Sequence, residues 1–144
     1  MTKPNIYLDI DGVLLANDLH AANYVHEFLD FVTNNYSTYW LTTHCKGDAE
    51  YTVRHLARIL PPETIALLSS IQPTDWSLAK TEAIDFSKPF LWFDDDLFDF
   101  EREALIQHHA LDNWIEVDLA KNENMLKIFI DDFPAPIEKA HGKK

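Results

Sequence analysis

The chain has one cysteine, Cys45, among 144 residues. A single thiol cannot close an intrachain disulfide, and it cannot build a cysteine-based zinc site. Cys45 also has no motif-level partner, so it reads as incidental. No apolar stretch approaches the roughly 20 residues of a membrane-spanning helix. Near the N-terminus Lys3 is followed by a short apolar run that Asp9 and Asp11 interrupt at once, which does not read as a signal peptide. The expected setting is a reducing cytoplasm, with no membrane partner. Basic residues are scarce: Lys plus Arg is 12 against 24 Asp plus Glu, a formal charge of −12. Such an acidic balance argues against a surface that grips nucleic acid by charge, although it leaves room for a local basic pocket. Internal repeats, low-complexity tracts and composition shifts are missing too. One domain over residues 1–133 is therefore expected, with a polar, mobile tail over 134–144.

What the chain does have is apolar content, 47% hydrophobic and 12% aromatic, enough to fill a core. Short apolar runs at 5–10 (NIYLDI), 37–43 (STYWLTT), 90–93 (FLWF) and 114–118 (WIEVD) read as strands. Between them, helical spacing or capping residues predict helices over 19–34, 48–60, 77–86, 100–109 and 121–131. Asp48 and Ser77 are the expected N-caps of the second and third, and Pro61 and Pro62 end the second. Residues 63–76 read as a short strand or turn. Strands alternating with helices predict an α/β fold, a Rossmann-like three-layer sandwich with a mostly parallel sheet.

In such sheets the ligand lies outside the carboxyl ends of the strands. The first strand delivers Asp9 and Asp11 there, followed by Gly12, which permits a sharp turn. The second delivers Thr42 and Thr43, and the third delivers Asp94, Asp95 and Asp96. One shared site accounts for all of these polar ends together. Converging carboxylates repel one another and suit a hard cation; Mg²⁺ binds such oxygens and phosphate oxygens as well. Lys80, ahead of the third strand, supplies a positive group for a substrate anion. The set points to phosphoryl transfer on a phosphorylated substrate.

The segment IYLDIDGVLL resembles the first motif of the haloacid dehalogenase superfamily, an apolar run followed by Asp-x-Asp-Gly. YWLTT resembles the second motif, Lys80 stands where the third-motif lysine would, and FLWFDDD resembles the fourth, in the family's order over residues 5–119. The resemblance implies a Mg²⁺-dependent phosphatase. Asp9 would be the nucleophile that forms an aspartyl-phosphate, and Asp11 the acid and then base. Thr42 and Lys80 would hold the phosphoryl group. The metal would be held by Asp9, the backbone carbonyl of Asp11, and an acid from Asp94 or Asp95. An acid at Asp11 favours an oxygen leaving group over carbon–halogen cleavage. Three choices stay open: Thr43 for Thr42, Lys88 for Lys80, and an Asp95/Asp99 register for Asp94/Asp95. Lys88 reads better as a solvated loop residue, and Asp94 directly follows the apolar run, leaving Asp96 as a helix cap.

The spacing between these motifs leaves no room for a cap domain. An open site suits a bulky or macromolecular phosphate ester, and a nucleic-acid end fits a weaker resemblance to domains associated with RNA-repair proteins, against the net charge. Two other classes share these residue types. A phospho-acceptor signalling module carries them in a different order along the chain. A catalytically idle scaffold would keep clustered carboxylates that only repel. Of the remaining residues, His44 follows the second strand and reads either as facing the substrate or as a solvated loop histidine, while His108 and His109 do not share a helix face as a metal pair would. His20 and His26 are assigned to the first helix, Trp40 and Trp92 to core packing, and Trp76 to a substrate-facing surface.

Overall fold

A computed structural model describes residues 3–43 and 47–135. The first apolar run forms β1 (Asn5–Leu8), buried along its whole length. It leads into a turn in which the Ile10 carbonyl accepts from the amides of Val13, Leu14 and Leu15. A hairpin follows, made of β2 (Leu15–Asn17) and β3 (His20–Ala21). Then come α1 (Val25–Asn35), β4 (Ser37–Trp40), α2 (Ala49–Leu56) and α3 (Pro62–Ile65). A 3-10 turn over Lys80–Ala83 precedes β5 (Phe90–Asp94), α4 (Asp99–Gln107), β6 (Trp114–Glu116) and α5 (Met125–Asp131).

The four longer-range strands make one parallel sheet in the order β4-β1-β5-β6. Alternate residues of β1 feed opposite faces, as the period of a strand requires. Ile6 and Leu8 pack with Leu91, Phe93 and Trp40 against Phe28 and Leu29 of α1 and Leu126 of α5. Tyr7 and Trp92 pack on the other face against Leu105 of α4 and Ile84. The sheet is thus covered on both sides, which is why the central strands β1 and β5 are buried at every residue. From β1 the chain moves outward to β4, then returns to place β5 on the opposite flank of β1. The order reverses between β1 and β5, and their carboxyl ends carry Asp9 and Asp94.

Several local expectations are corrected. The helix expected over 19–34 begins only at Val25, after Tyr24 in the left-handed region at φ 65°. Leu19 fits helical spacing, yet it sits in the hairpin turn, where Asn17 Oδ1 accepts from its amide at 2.9 Å. His20 accordingly lies in β3, and only His26 belongs to α1, bonded to Thr64 at 2.9 Å. The helix expected over 77–86 shrinks to the 3-10 turn, and Ser77 does not cap it. Instead the Glu82 carboxylate accepts from the amides of Ser77, Leu78 and Ala79 at 2.9–3.0 Å. Residues 63–76 hold the rest of α3, a 3-10 turn over Ala66–Ser70 and a lone bridge from Gln72 to Tyr39, not a strand. Asp48 does cap α2, accepting from the amides of Glu50 and Tyr51. Asp96 does not cap α4; Phe98 holds that position. Of the expected tail, residues 136–144 lie outside the described residues.

Gly12 has φ +82°, and a Cβ built there collides with the Asp95 carboxylate. Both the left-handed backbone and the close approach therefore require glycine. Gly12→Ala is expected to lower stability by about 1–3 kcal/mol, read as a drop in thermal midpoint. An unchanged midpoint together with unchanged metal affinity would show that neither constraint operates.

Candidate functional site

The site forms where β1 and β5 end side by side. The ladder runs one residue past β1, with the Asp9 amide donating to the Phe93 carbonyl at 3.1 Å. This fixes Asp9 beside the end of β5. Asp9 is 7% exposed and Asp94 1%. The Lys80 ammonium reaches between them, 2.8 Å from Asp94 Oδ2 and 3.5 Å from Asp9 Oδ1. Asp94 gathers three further donors: the Trp92 indole N–H at 3.1 Å on the same oxygen, and the amides of Asp95 and Asp96 at 2.7 and 3.3 Å on the other. Four donors thus converge on Asp94, and burial makes it costly to leave any of them unpaired.

Lys80 is placed through its backbone. Its amide donates to Glu101 Oε2 at 3.0 Å, and the other Glu101 oxygen accepts from the Phe98 amide at 3.2 Å. Glu101 is 3% exposed. One buried carboxylate therefore joins the segment before β5 to the segment after it.

Asp9, Asp94 and Asp95 each offer a ligand oxygen within 4.8 Å of the others, so the three could hold a metal ion. Their electrostatics fit that reading. Burial and the nearby Asp9 carboxylate push Asp94 up to about 7, against the downward pull of Lys80. Burial and Asp94 push Asp95 up to about 6. Burial opposes the Lys80 charge, but Asp9, Asp94 and Glu101 outweigh it and raise its pKa. Three carboxylates cluster where one ammonium contacts two of them, and a bound cation would supply the missing positive charge.

The residues singled out from the sequence fall as follows. Asp11 is exposed and lines the cavity with Asp9, Lys80 and the acids of β5, while its carboxylate stands outside the group of three. Thr43 is on the cavity wall, whereas Thr42 is fully buried. Lys88 is not brought in: it lines a separate cleft with Asn5 and Tyr7, beyond the amino end of β5. Asp94 and Asp95 both join Asp9, and Asp99 opens α4 outside that group. Asp96 also lines the cavity, as does Trp76. Trp40 and Trp92 are buried in the sheet as expected, although Trp92 also serves the site through its N–H. His108 stacks on Phe86 with ring centroids 3.8 Å apart, away from any metal pair, and His109 adopts φ 56°. His44 and Cys45 lie outside the described residues.

Two contributors escape a reading of the sequence. Trp92 and Asp94 are two apart on a strand and so share a face, a signal that was present. Glu101 stands three residues after Phe98, the spacing of a reciprocal cap, but nothing local shows its bond to Lys80, 21 residues back.

Comparison with known protein families, curated proteins and solved structures finds no match. What the fold and site define is an α/β chain whose parallel sheet presents an acidic, metal-compatible cluster at its carboxyl edge. Among the described residues no helix is long and apolar enough to cross a membrane.

An acid whose folded pKa lies above its unfolded value binds its proton more tightly in the folded state, so ionising it removes stability. For Asp94 and Asp95 that loss sets in above about pH 4 and is complete above about pH 7. The chain without added metal should therefore melt roughly 5–10 °C lower at pH 8 than at pH 5, and any divalent cation held by the cluster, Mg²⁺ being one to try, should raise the midpoint at pH 8 far more than at pH 5. A Mg²⁺ effect of equal size at both pH values would rule the acid cluster out as the binding site. Glu101→Gln keeps only one acceptor oxygen for two amides and should cost about 1–3 kcal/mol, measured by denaturant unfolding.

Proposed function

We infer that the chain is a Mg²⁺-dependent phosphohydrolase working through an aspartyl-phosphate on Asp9. The observation that carries this reading is the half-buried Lys80 ammonium set between Asp9 and Asp94, with Asp95 close enough to share a cation. The resemblance of the four segments to the haloacid dehalogenase superfamily points the same way, as does the location at the reversal of strand order.

In this reading an Asp9 oxygen attacks phosphorus as the bond to the ester oxygen breaks, and Asp11 gives its proton to that leaving oxygen. Asp11 then takes a proton from water, whose oxygen attacks phosphorus and displaces Asp9, releasing inorganic phosphate. Lys80 stands 3.5 Å from the Asp9 carboxylate and faces the developing charge. Thr43 on the cavity wall, or Thr42 behind it, donates to the phosphoryl oxygens. Mg²⁺ held by Asp9, Asp94 or Asp95, and the Asp11 carbonyl would neutralise charge on the transferring group. Asp94 contributes in a second way, by anchoring Lys80 and the Trp92 indole.

The test is hydrolysis of an aryl phosphate by the full chain. Turnover should require Mg²⁺ and fall by at least about 10³-fold in Asp9→Asn. Asp11→Asn should lose roughly 10²–10⁴-fold, the usual weight of acid–base catalysis. Full activity in Asp9→Asn, or activity indifferent to chelation, refutes the reading.

A further inference from the structure

Beside the carboxylates stands a set of apolar side chains left in water. Leu78 is 83% exposed, Phe98 56% and Phe100 52%. Leu78 and Phe98 share the wall of the site cavity with half-buried Trp76. A lone exposed apolar residue needs no explanation, but this group is contiguous with the reacting groups and rigidly presented. Leu78 projects from the loop whose three amides rest on Glu82. Phe98 is fixed by Glu101, the same carboxylate that fixes Lys80. Its ring lies parallel to that of Phe100, 5.8 Å between centroids and 11° between planes. The Phe98 and Lys80 backbones are thus tied to one buried carboxylate, and the Leu78 loop to a different carboxylate, Glu82.

The charges nearby limit what can rest there. Lys80 is the one cation among the described lining residues, and it is engaged with Asp9 and Asp94. Asp11, Asp95 and Asp96 line the same cavity. A second phosphate on the substrate would face those carboxylates, with no other cation among the described lining residues to offset them. The cavity is also small, about 190 Å³.

We propose that Trp76, Leu78 and Phe98 form the subsite for the leaving group, and that it takes a flat, apolar group bearing no further charge. The substrate class is then a small phosphate monoester of the nucleoside monophosphate type, not a polyphosphate or a nucleic-acid end. This rests on the phosphohydrolase reading for its chemistry; the binding preference stands on the collar alone. Stacking or packing of such a ring on the collar should be worth roughly 10-fold in affinity.

The experiment compares adenosine 5′-monophosphate with ribose 5-phosphate, which share the ester and differ by the ring. kcat/KM is measured with Mg²⁺ on the native chain and on Leu78→Ala/Phe98→Ala. Calorimetric binding of both probes, with Mg²⁺, is measured on Asp9→Asn with and without the collar substitutions. Both collar positions are exposed, so folding should survive, and a thermal melt checks it. The native chain should prefer the nucleotide by roughly 10-fold or more, and the ratio of the two substrates should fall towards one in the collar variant. Binding ratios should follow the same pattern. Equal use of both substrates with good turnover would sink the collar proposal and leave the phosphohydrolase standing. Tight, collar-dependent nucleotide binding with no turnover would do the reverse. Absence of both binding and turnover, or faster hydrolysis of a 5′-phosphorylated oligonucleotide than of the mononucleotide, overturns the proposal.

Discussion

The contact on which the rest depends is the Lys80 ammonium held 2.8 Å from the Asp94 carboxylate. Burying that pair costs several kcal/mol of desolvation per ion, and attraction offsets this only where the other polar atoms are also bonded. The structure meets the condition at both ends. Asp94 collects the Trp92 indole and two backbone amides, and the Lys80 backbone is tied to Glu101. The remaining imbalance is negative, because Asp9 and Asp95 also crowd the same space. A fold that concentrates carboxylates in this way is stabilised by whatever cation completes them. The apolar strands beneath give the cluster a stiff floor.

Glu101 links two properties that would otherwise vary separately. By accepting from Lys80 and from Phe98 it couples the position of the cation to the position of an exposed aromatic ring. Two residues that line the cavity, Lys80 and Phe98, are then referenced to one buried oxygen pair instead of to two independent loops. Gly12 does something similar on the opposite side, where its missing side chain lets the turn after β1 close on Asp95. Both devices set distances between segments far apart in the chain, and such distances determine whether a cluster of acids is a site or only a patch of charge.

Much of this was legible beforehand. Apolar runs ending in acids marked β1 and β5 because a strand buried on both faces has few places for a carboxylate except its end. Asp48 as a cap and α4 after the acidic run followed from local chemistry. Reading failed where two patterns overlap. Leu19 and Ala22 fit a helix, but the side-chain turn at Asn17 competes locally and a hairpin results. Residues 77–86 fit a helix too, yet Glu82 takes the three amides that an N-terminal turn leaves open and stops after one 3-10 turn.

The sequence by itself determined which polar groups the site can draw on: which acids end which strands, and that a lysine precedes the last acidic run. These are consequences of residue type and period, and both are local. Only the tertiary structure set Lys80 rather than Lys88 beside Asp9, put Asp94 and Asp95 rather than Asp99 next to it, and brought Thr43 rather than Thr42 to the cavity wall. It also recruited Glu101 and Trp92. The physical reason is the crossover that returns the chain from β4 to the far flank of β1. Which side chains meet there depends on strand register and on where each turn stops, and no short stretch of sequence carries that information.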